Sequence, residues 1–216
     1  MVESFQLIAF SFRTRAERVV WCFGELGIPF DVLRFDMNDS TSPGYMALAK
    51  INARIRVPAL IHTLENNEQF VLTESMAILR YLASLPSKNK VHLIPENAQE
   101  AARMDERIHI GLSQMDAHLW LMFERRSLRR STIPEQMDSH SAAEVSQCIH
   151  KNVSKWLKES EFIAGNSFTL ADILFTHLLD WTRGMAVAEL EPHVMEYLKR
   201  MEQRPAYPPL WKAGFQ

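Results

Sequence analysis

Along the first 85 residues, apolar positions alternate between short continuous runs and helical spacing. Residues 5–10 form an apolar run of strand length, suited to a buried strand. Thr14-Arg15-Ala16-Glu17 then has the spacing of a capping box, a hydroxyl and a carboxylate three residues apart that serve the exposed amides of a helix start. Ala16, Val19, Val20, Phe23 and Leu26 recur at i, i+3, i+4, i+7 spacing and predict a helix that Gly27 ends before Pro29. A second strand is expected at 30–35, and Ser42-Pro43 opens a shorter helix to about Lys50. Two more strands, 59–63 and 69–72, flank the polar turn Glu65-Asn66-Asn67-Glu68, and a helix over 74–85 carries Ile78, Leu79 and Leu82 on one face. Between Pro86 and Pro95 the periodicity stops at Ser87-Lys88-Asn89-Lys90, the mark of a linker.

Beyond it the pattern is helical throughout. It predicts one long helix over 96–125, a helix from the capping box Ser141-Ala142-Ala143-Glu144 to about Lys158, and another opened by Thr169-Leu170-Ala171-Asp172. Phe168 and Ile173 are spaced for a hydrophobic staple across that last box; a helix over 192–203 and a short segment after Pro205 complete the chain, with no internal repeat. The expected architecture is α/β plus all-α: a βαβαββα domain over 1–85, a linker over 86–95 and a helical domain over 96–216.

The composition agrees with folded domains that have their own cores: the 216 residues are 47% hydrophobic and 23% charged, without low-complexity bias. Lys and Arg number 24 against 26 Asp and Glu, so the field is too weak to gather polyanions, and nucleic acid is not an expected partner. The cluster Arg125-Arg126-Ser127-Leu128-Arg129-Arg130 reads as cations at or past a helix C-terminus. No apolar run approaches the ~18 residues that span a bilayer, and Glu3, Arg13, Arg15, Glu17 and Arg18 break up the first 20 residues where a signal peptide would be apolar. Cys22 and Cys148 are far apart with no C-x-x-C, which fits a reducing compartment; the expected location is the cytosol, away from membranes.

The sequence has no Gly-rich nucleotide loop, H-E-x-x-H or G-x-S-x-G. The eight histidines, among them His109, His118 and His177, lack the pairing of a metal site, and none is expected. Three features remain. Ser11 follows the first strand and precedes the Thr14 cap, which sets its hydroxyl near the positive end of a helix. In Val57-Pro58-Ala59-Leu60 a proline opens a strand, a position open to a cis bond, and Val57 can offer its backbone N–H and C=O to an extended ligand. Thr73-Glu74-Ser75 begins the third helix, where amides, a hydroxyl and a carboxylate together suit an amino-acid end group that bears both charges. Taken singly, each also reads as plain structure: a turn serine, a strand-opening proline, a helix start.

In this order the features resemble the cytosolic glutathione transferases, over nearly the whole chain. Ser11-Phe12-Arg13-Thr14-Arg15 is similar to the S-x-x-S-R loop of serine-type, bacterial or theta-like classes; Val57-Pro58-Ala59-Leu60 resembles the cis-proline segment and Glu74-Ser75 the (Q/E)-S pair; and Phe168-Thr169-Leu170-Ala171-Asp172 resembles the capping box and staple of the second domain. The resemblance implies a thioredoxin-like N-terminal domain, a helical C-terminal domain, and conjugation of reduced glutathione to small hydrophobic electrophiles in detoxification, by a cytoplasmic homodimer whose co-substrate is glutathione and which uses no other cofactor. Carried over residue by residue, it makes Ser11 the catalytic donor to the glutathione sulfur, pairs Val57 with the cysteinyl unit, gives Glu74 and Ser75 the γ-glutamyl end and Arg56 the glycyl carboxylate. Pro58, Arg15, Thr169 and Asp172 take structural roles. Phe10, Phe12, Met104 and Ile108 would line the electrophile pocket.

The chain also departs from the family's patterns. Aligned on Arg13-x-Arg15-Ala16-Glu17, the tyrosine of tyrosine-type members falls on Ala9; the cysteine of reductase-like members is missing; and 52–56 lacks the Pro and Gly often found before the cis-proline. Two alternatives stand beside the transferase: a non-catalytic binding or regulatory module on the same fold, and a glutathione-dependent isomerase or peroxidase, although the isomerase-like S-S-C-S-W-R loop is not present.

Overall fold

The computed structural model describes residues 3–10, 14–52, 55–126, 128 and 134–208. They fall into two compact units, one made of the residues up to His92 together with 205–208, the other spanning Leu93–Arg204.

The first unit is built on a four-stranded sheet in the order β2-β1-β3-β4, formed by β1 (Ser4–Ala9), β2 (Asp31–Arg34), β3 (Ala59–Thr63) and β4 (Gln69–Thr73). β1 and β2 are parallel because α1 (Ala16–Leu26) crosses between them, and the other two pairings are antiparallel. Alternation along β1 sends Ile8 to one face, where it joins Phe35, Leu48, Ala59 and Ile61 in a cluster that takes in α2 (Pro43–Ile51). Phe5 points to the other face, where its ring meets Phe23 of α1 at 5.8 Å and stacks on His62 at 4.1 Å. His62 is buried there, with Nδ1 2.6 Å from the Tyr81 hydroxyl of α3 (Ser75–Ala83). The βαβαββα order and the thioredoxin-like fold are therefore as the sequence predicts.

Gly44 is required where α2 begins, since a Cβ on it would sit 2.5 Å from the carbonyl oxygen of Arg34. Gly27 ends α1 at φ 67°, in the left-handed region that favours glycine.

The segment after Pro86 reads as an aperiodic linker, yet part of it caps α1. Lys88 N and Ser87 Oγ donate to Leu26 O at 3.0 and 3.3 Å, and Asn89 Nδ2 donates to Gly24 O and Glu25 O at 3.3 and 3.0 Å, which satisfies carbonyls the helix end leaves open. At the other end of the chain, residues 205–208 belong to the first unit and not to the helical domain in which the sequence places them. The reason is packing: Tyr207 is buried and sets its ring 5.2 Å from that of Trp21.

The second unit is built from helices: α4 (Ala98–Gly111), α5 (Ala117–Arg126), α6 (Glu135–Cys148), α7 (Ser154–Glu159), α8 (Leu170–Gly184) and α9 (Pro192–Glu202). The single long helix expected over 96–125 is α4 and α5, joined through a π-helical turn at Leu112–Asp116. Its start is set by Asn97, whose side chain accepts from Gln99 N at 2.9 Å and Glu100 N at 3.1 Å. The capping box expected at Ser141 is not one. α6 already begins at Glu135, and Ser141 lies mid-helix and fully buried, its Oγ 3.2 Å from His118 Nδ1. The box at Thr169 is present: Thr169 Oγ1 accepts from Ala171 N, and Asp172 Oδ2 accepts from Thr169 N at 2.8 Å. α8 is the core of this unit, buried along Leu170–Leu179, and Gly111 of α4 lets Phe175 and Leu174 approach.

Candidate functional site

Strand register brings two of the sequence features to one end of the sheet, beside the exit of β1. Ile8 pairs with Ala59 and Ala59 with Thr73, so the exit of β1, the entry to β3 and the exit of β4 lie side by side. Phe10 follows the first, Val57-Pro58 precedes the second and Glu74-Ser75 follows the third. Residues separated by more than sixty positions are joined by topology alone.

The Val57–Pro58 peptide bond is cis, and Pro58 is buried. Val57 is half-buried against the Ile8 cluster, as is Phe10, whose ring lies edge-on to Phe35 at 6.3 Å. Arg56 is exposed. Glu74 has φ 68°, a left-handed conformation that costs a non-glycine residue about 1–3 kcal/mol. It is exposed and serves as N-cap of α3, and its carbonyl accepts from Ile78 N at 3.0 Å. Ser75 is the first residue of α3 and is buried. The free amides of that first turn and the helix dipole favour an anionic group at this position.

On α1, Thr14 Oγ1 accepts from Ala16 N at 3.2 Å, and Arg15 stands as N-cap. Ser11 and Phe12 lie outside the described residues, as do Arg129 and Arg130 of the basic cluster. Arg125 and Arg126 close α5, as cations at a helix C-terminus, and they have partners: Arg126 forks onto Asp138 of α6, with Nε at 3.0 and 3.1 Å and Nη2 at 2.6 Å. Met104 and Ile108, on α4, are buried in the second unit.

The two cysteines are buried, and burial pushes the Cys22 thiol far up and that of Cys148 to about 11, the direction that suppresses thiolate chemistry. Among the described residues no group of three or more His, Cys, Asp or Glu side chains could hold a metal ion, and no helix is long and apolar enough to cross a membrane.

One residue at this end of the sheet escapes sequence reasoning. Arg18 of α1 is fully buried, and its Nη1 donates to Ser75 Oγ at 3.3 Å. The only signal for it is position, an arginine adjoining the apolar Val19 within a buried helix face.

Comparison with known proteins gives the same family over both halves of the chain. The model "Glutathione S-transferase, N-terminal domain" matches residues 5–84 and "Glutathione S-transferase, C-terminal domain" matches 132–205. Glutathione S-transferase theta-3 of Mus musculus is 28% identical over 193 residues, 86% of this chain and 77% of that protein. Glutathione S-transferase theta-1 of the same species is 31% identical over 164 residues, 72% of this chain and 65% of that protein. Among solved structures, a glutathione transferase family member from Pseudomonas fluorescens with two glutathione molecules bound superposes with TM-score 0.78 at 19% identity, covering 96% of this chain and 92% of that one. A glutathione transferase homologue from Sulfitobacter with bound glutathione has TM-score 0.75 at 24% identity, covering 99% of both. These two likenesses show the fold.

Proposed function

This chain belongs to the glutathione S-transferase family and is a glutathione transferase, and on that premise we propose that it joins reduced glutathione to small hydrophobic electrophiles through a thiolate held by the Ser11 hydroxyl. The observation that carries the reading is the convergence of the β1 exit, the cis Val57–Pro58 bond and the Glu74-Ser75 helix start at one end of the sheet. An extended peptide there pairs its backbone with Val57 and sets a charged end group on α3, while its middle residue faces the segment after β1. Val57 then takes the cysteinyl unit, Glu74 and Ser75 the γ-glutamyl end and Arg56 the glycyl carboxylate.

The magnitudes suffice. Lowering a thiol pKa from ~8.5 by about two units takes about 2.7 kcal/mol of preference for the thiolate. A hydroxyl that donates to an anion supplies about 1.5–3 kcal/mol, and a helix N-terminus adds about 0.3–1. Ser11 acts as a donor and not as a nucleophile, so the gain is a larger fraction of reactive sulfur held against the electrophile. The working form is a cytoplasmic homodimer, active in detoxification, that needs glutathione and no metal or prosthetic group.

Ser11→Ala tests the assignment. Turnover with an activated aryl halide is expected to fall about tenfold or more while KM for glutathione stays within about threefold, since the hydroxyl acts on the thiolate and not on the peptide ends. Unchanged turnover removes Ser11 from the mechanism.

A further inference from the structure

Arg18 has no exposed surface, and its guanidinium reaches from α1 to the first residue of α3, where Nη1 donates to Ser75 Oγ at 3.3 Å between two buried side chains. A cation is rarely taken wholly out of water unless its donors are used. A guanidinium has donors and no acceptor, whereas a serine hydroxyl has one donor and two lone pairs. In this pair the Ser75 oxygen can therefore only accept, and its one O–H proton is left to be given elsewhere. The hydroxyl rotor, free in an ordinary serine, is set by its neighbour.

We propose that Arg18 is a positioning residue for glutathione binding: by occupying a lone pair of Ser75 Oγ, it turns the Ser75 O–H toward the γ-glutamyl carboxylate at the N-terminus of α3. The proposal rests on the reading of Ser75 as a ligand-binding residue given above. A donor bonded to a cation is also polarised by it, so the Ser75 hydroxyl becomes a stronger donor to an anion than an isolated serine. The positive charge behind the hydroxyl adds to the field of the helix terminus, so the α3 start, the hydroxyl and the guanidinium all act on one carboxylate. Arg18 touches Ser75 and not the ligand, and its effect is on binding.

The test is a mutant cycle read in KM for glutathione and in kcat, with an activated aryl halide as second substrate, for the wild type, R18M, R18K, S75A, R18M/S75A and R18K/S75A. R18M is expected to raise KM for glutathione about tenfold, equivalent to about 1.4 kcal/mol, with kcat within about threefold. R18K keeps a cation without the planar fork and should raise KM by a smaller factor. Once Ser75 is alanine, both Arg18 substitutions should change KM less than about twofold. An Arg18 effect of the same size with serine or alanine at 75 overturns the proposal, because the arginine then acts through helix packing alone; so does an unmoved KM in R18M. S75A with a wild-type KM is a separate failure, that of the reading of Ser75 itself. If R18M does not fold, as judged by circular dichroism, R18K in the two backgrounds decides by the same criterion.

Discussion

Replacing Asp172 with alanine takes away the acceptor around which the start of α8 is built. The carboxylate has no exposed surface. Its Oδ1 accepts from Ile163 N at 2.8 Å and from the Tyr197 hydroxyl at 2.9 Å, and its Oδ2 from Thr169 N at 2.8 Å and Thr169 Oγ1 at 3.1 Å. Alanine strands two main-chain amides and a phenol, and each buried donor without a partner costs about 1–3 kcal/mol. Allowing for relaxation, the loss is about 3–6 kcal/mol, which for a chain of this size lowers Tm by about 10 °C or more. The loss also depends on pH. Burial pushes the Asp172 carboxyl up to about 6, against the pull of the hydrogen bonds from Ile163, Thr169 and Tyr197. In the unfolded chain it titrates near ~3.9, so the folded state binds the proton more tightly. The stability this supplies is complete below that unfolded value and is lost as pH rises through about 6. The gap between wild type and Asp172→Ala in urea unfolding is therefore expected to be larger at pH 5 than at pH 7.5, by about 1.4 kcal/mol. A gap that is equal at the two pH values or grows toward pH 7.5, or a total loss below about 1 kcal/mol, refutes the reasoning.

Two further outcomes follow from burial and close contact. Gly44→Ala would drive a Cβ into the Arg34 backbone, whose carbonyl oxygen and carbon lie 2.5 and 2.6 Å from it, and should destabilise the first unit by about 2 kcal/mol or more in the same unfolding assay; a change under about 0.5 kcal/mol contradicts the packing at that turn. Cys22, buried and with its thiol pushed far up, should react with a disulfide reagent at pH 8 only as fast as the protein opens, and fast labelling of Cys22 in the folded protein contradicts its placement.

Local signals were legible and non-local ones were not, as particular residues make plain. Thr169 and Asp172 could be read as a cap because the box is made by spacing alone, and the structure has it. Ser141 and Glu144 have equivalent spacing, but a box in sequence does not say whether the helix has already begun; α6 starts at Glu135, and the burial of Ser141 against His118 decides its role. The π-helical turns at Leu112–Asp116 and Ile149–Val153 leave the apolar spacing nearly unchanged and so leave no sequence trace. Tyr207 returns to the first unit for a ring contact with Trp21, across most of the chain, that no local pattern announces.

At the candidate site the contrast is the same. Pro58 and Glu74-Ser75 announce themselves through turn and helix-start chemistry, and their meeting at one sheet end follows from a β-α-β-α-β-β-α order that hydrophobic periodicity already predicts. Arg18 does not, because a charged residue in an amphipathic helix is read as solvated, and only the fold shows it turned inward onto Ser75.

The proposed reaction requires this glutathione transferase to ionise the thiol of bound glutathione. The most direct test is the ultraviolet thiolate absorbance of glutathione bound to the wild-type protein, followed as a function of pH. An apparent thiol pKa about two units below the ~8.5 of a free thiol is expected. Bound glutathione whose thiol titrates at its unshifted value, or no binding at all, would contradict it.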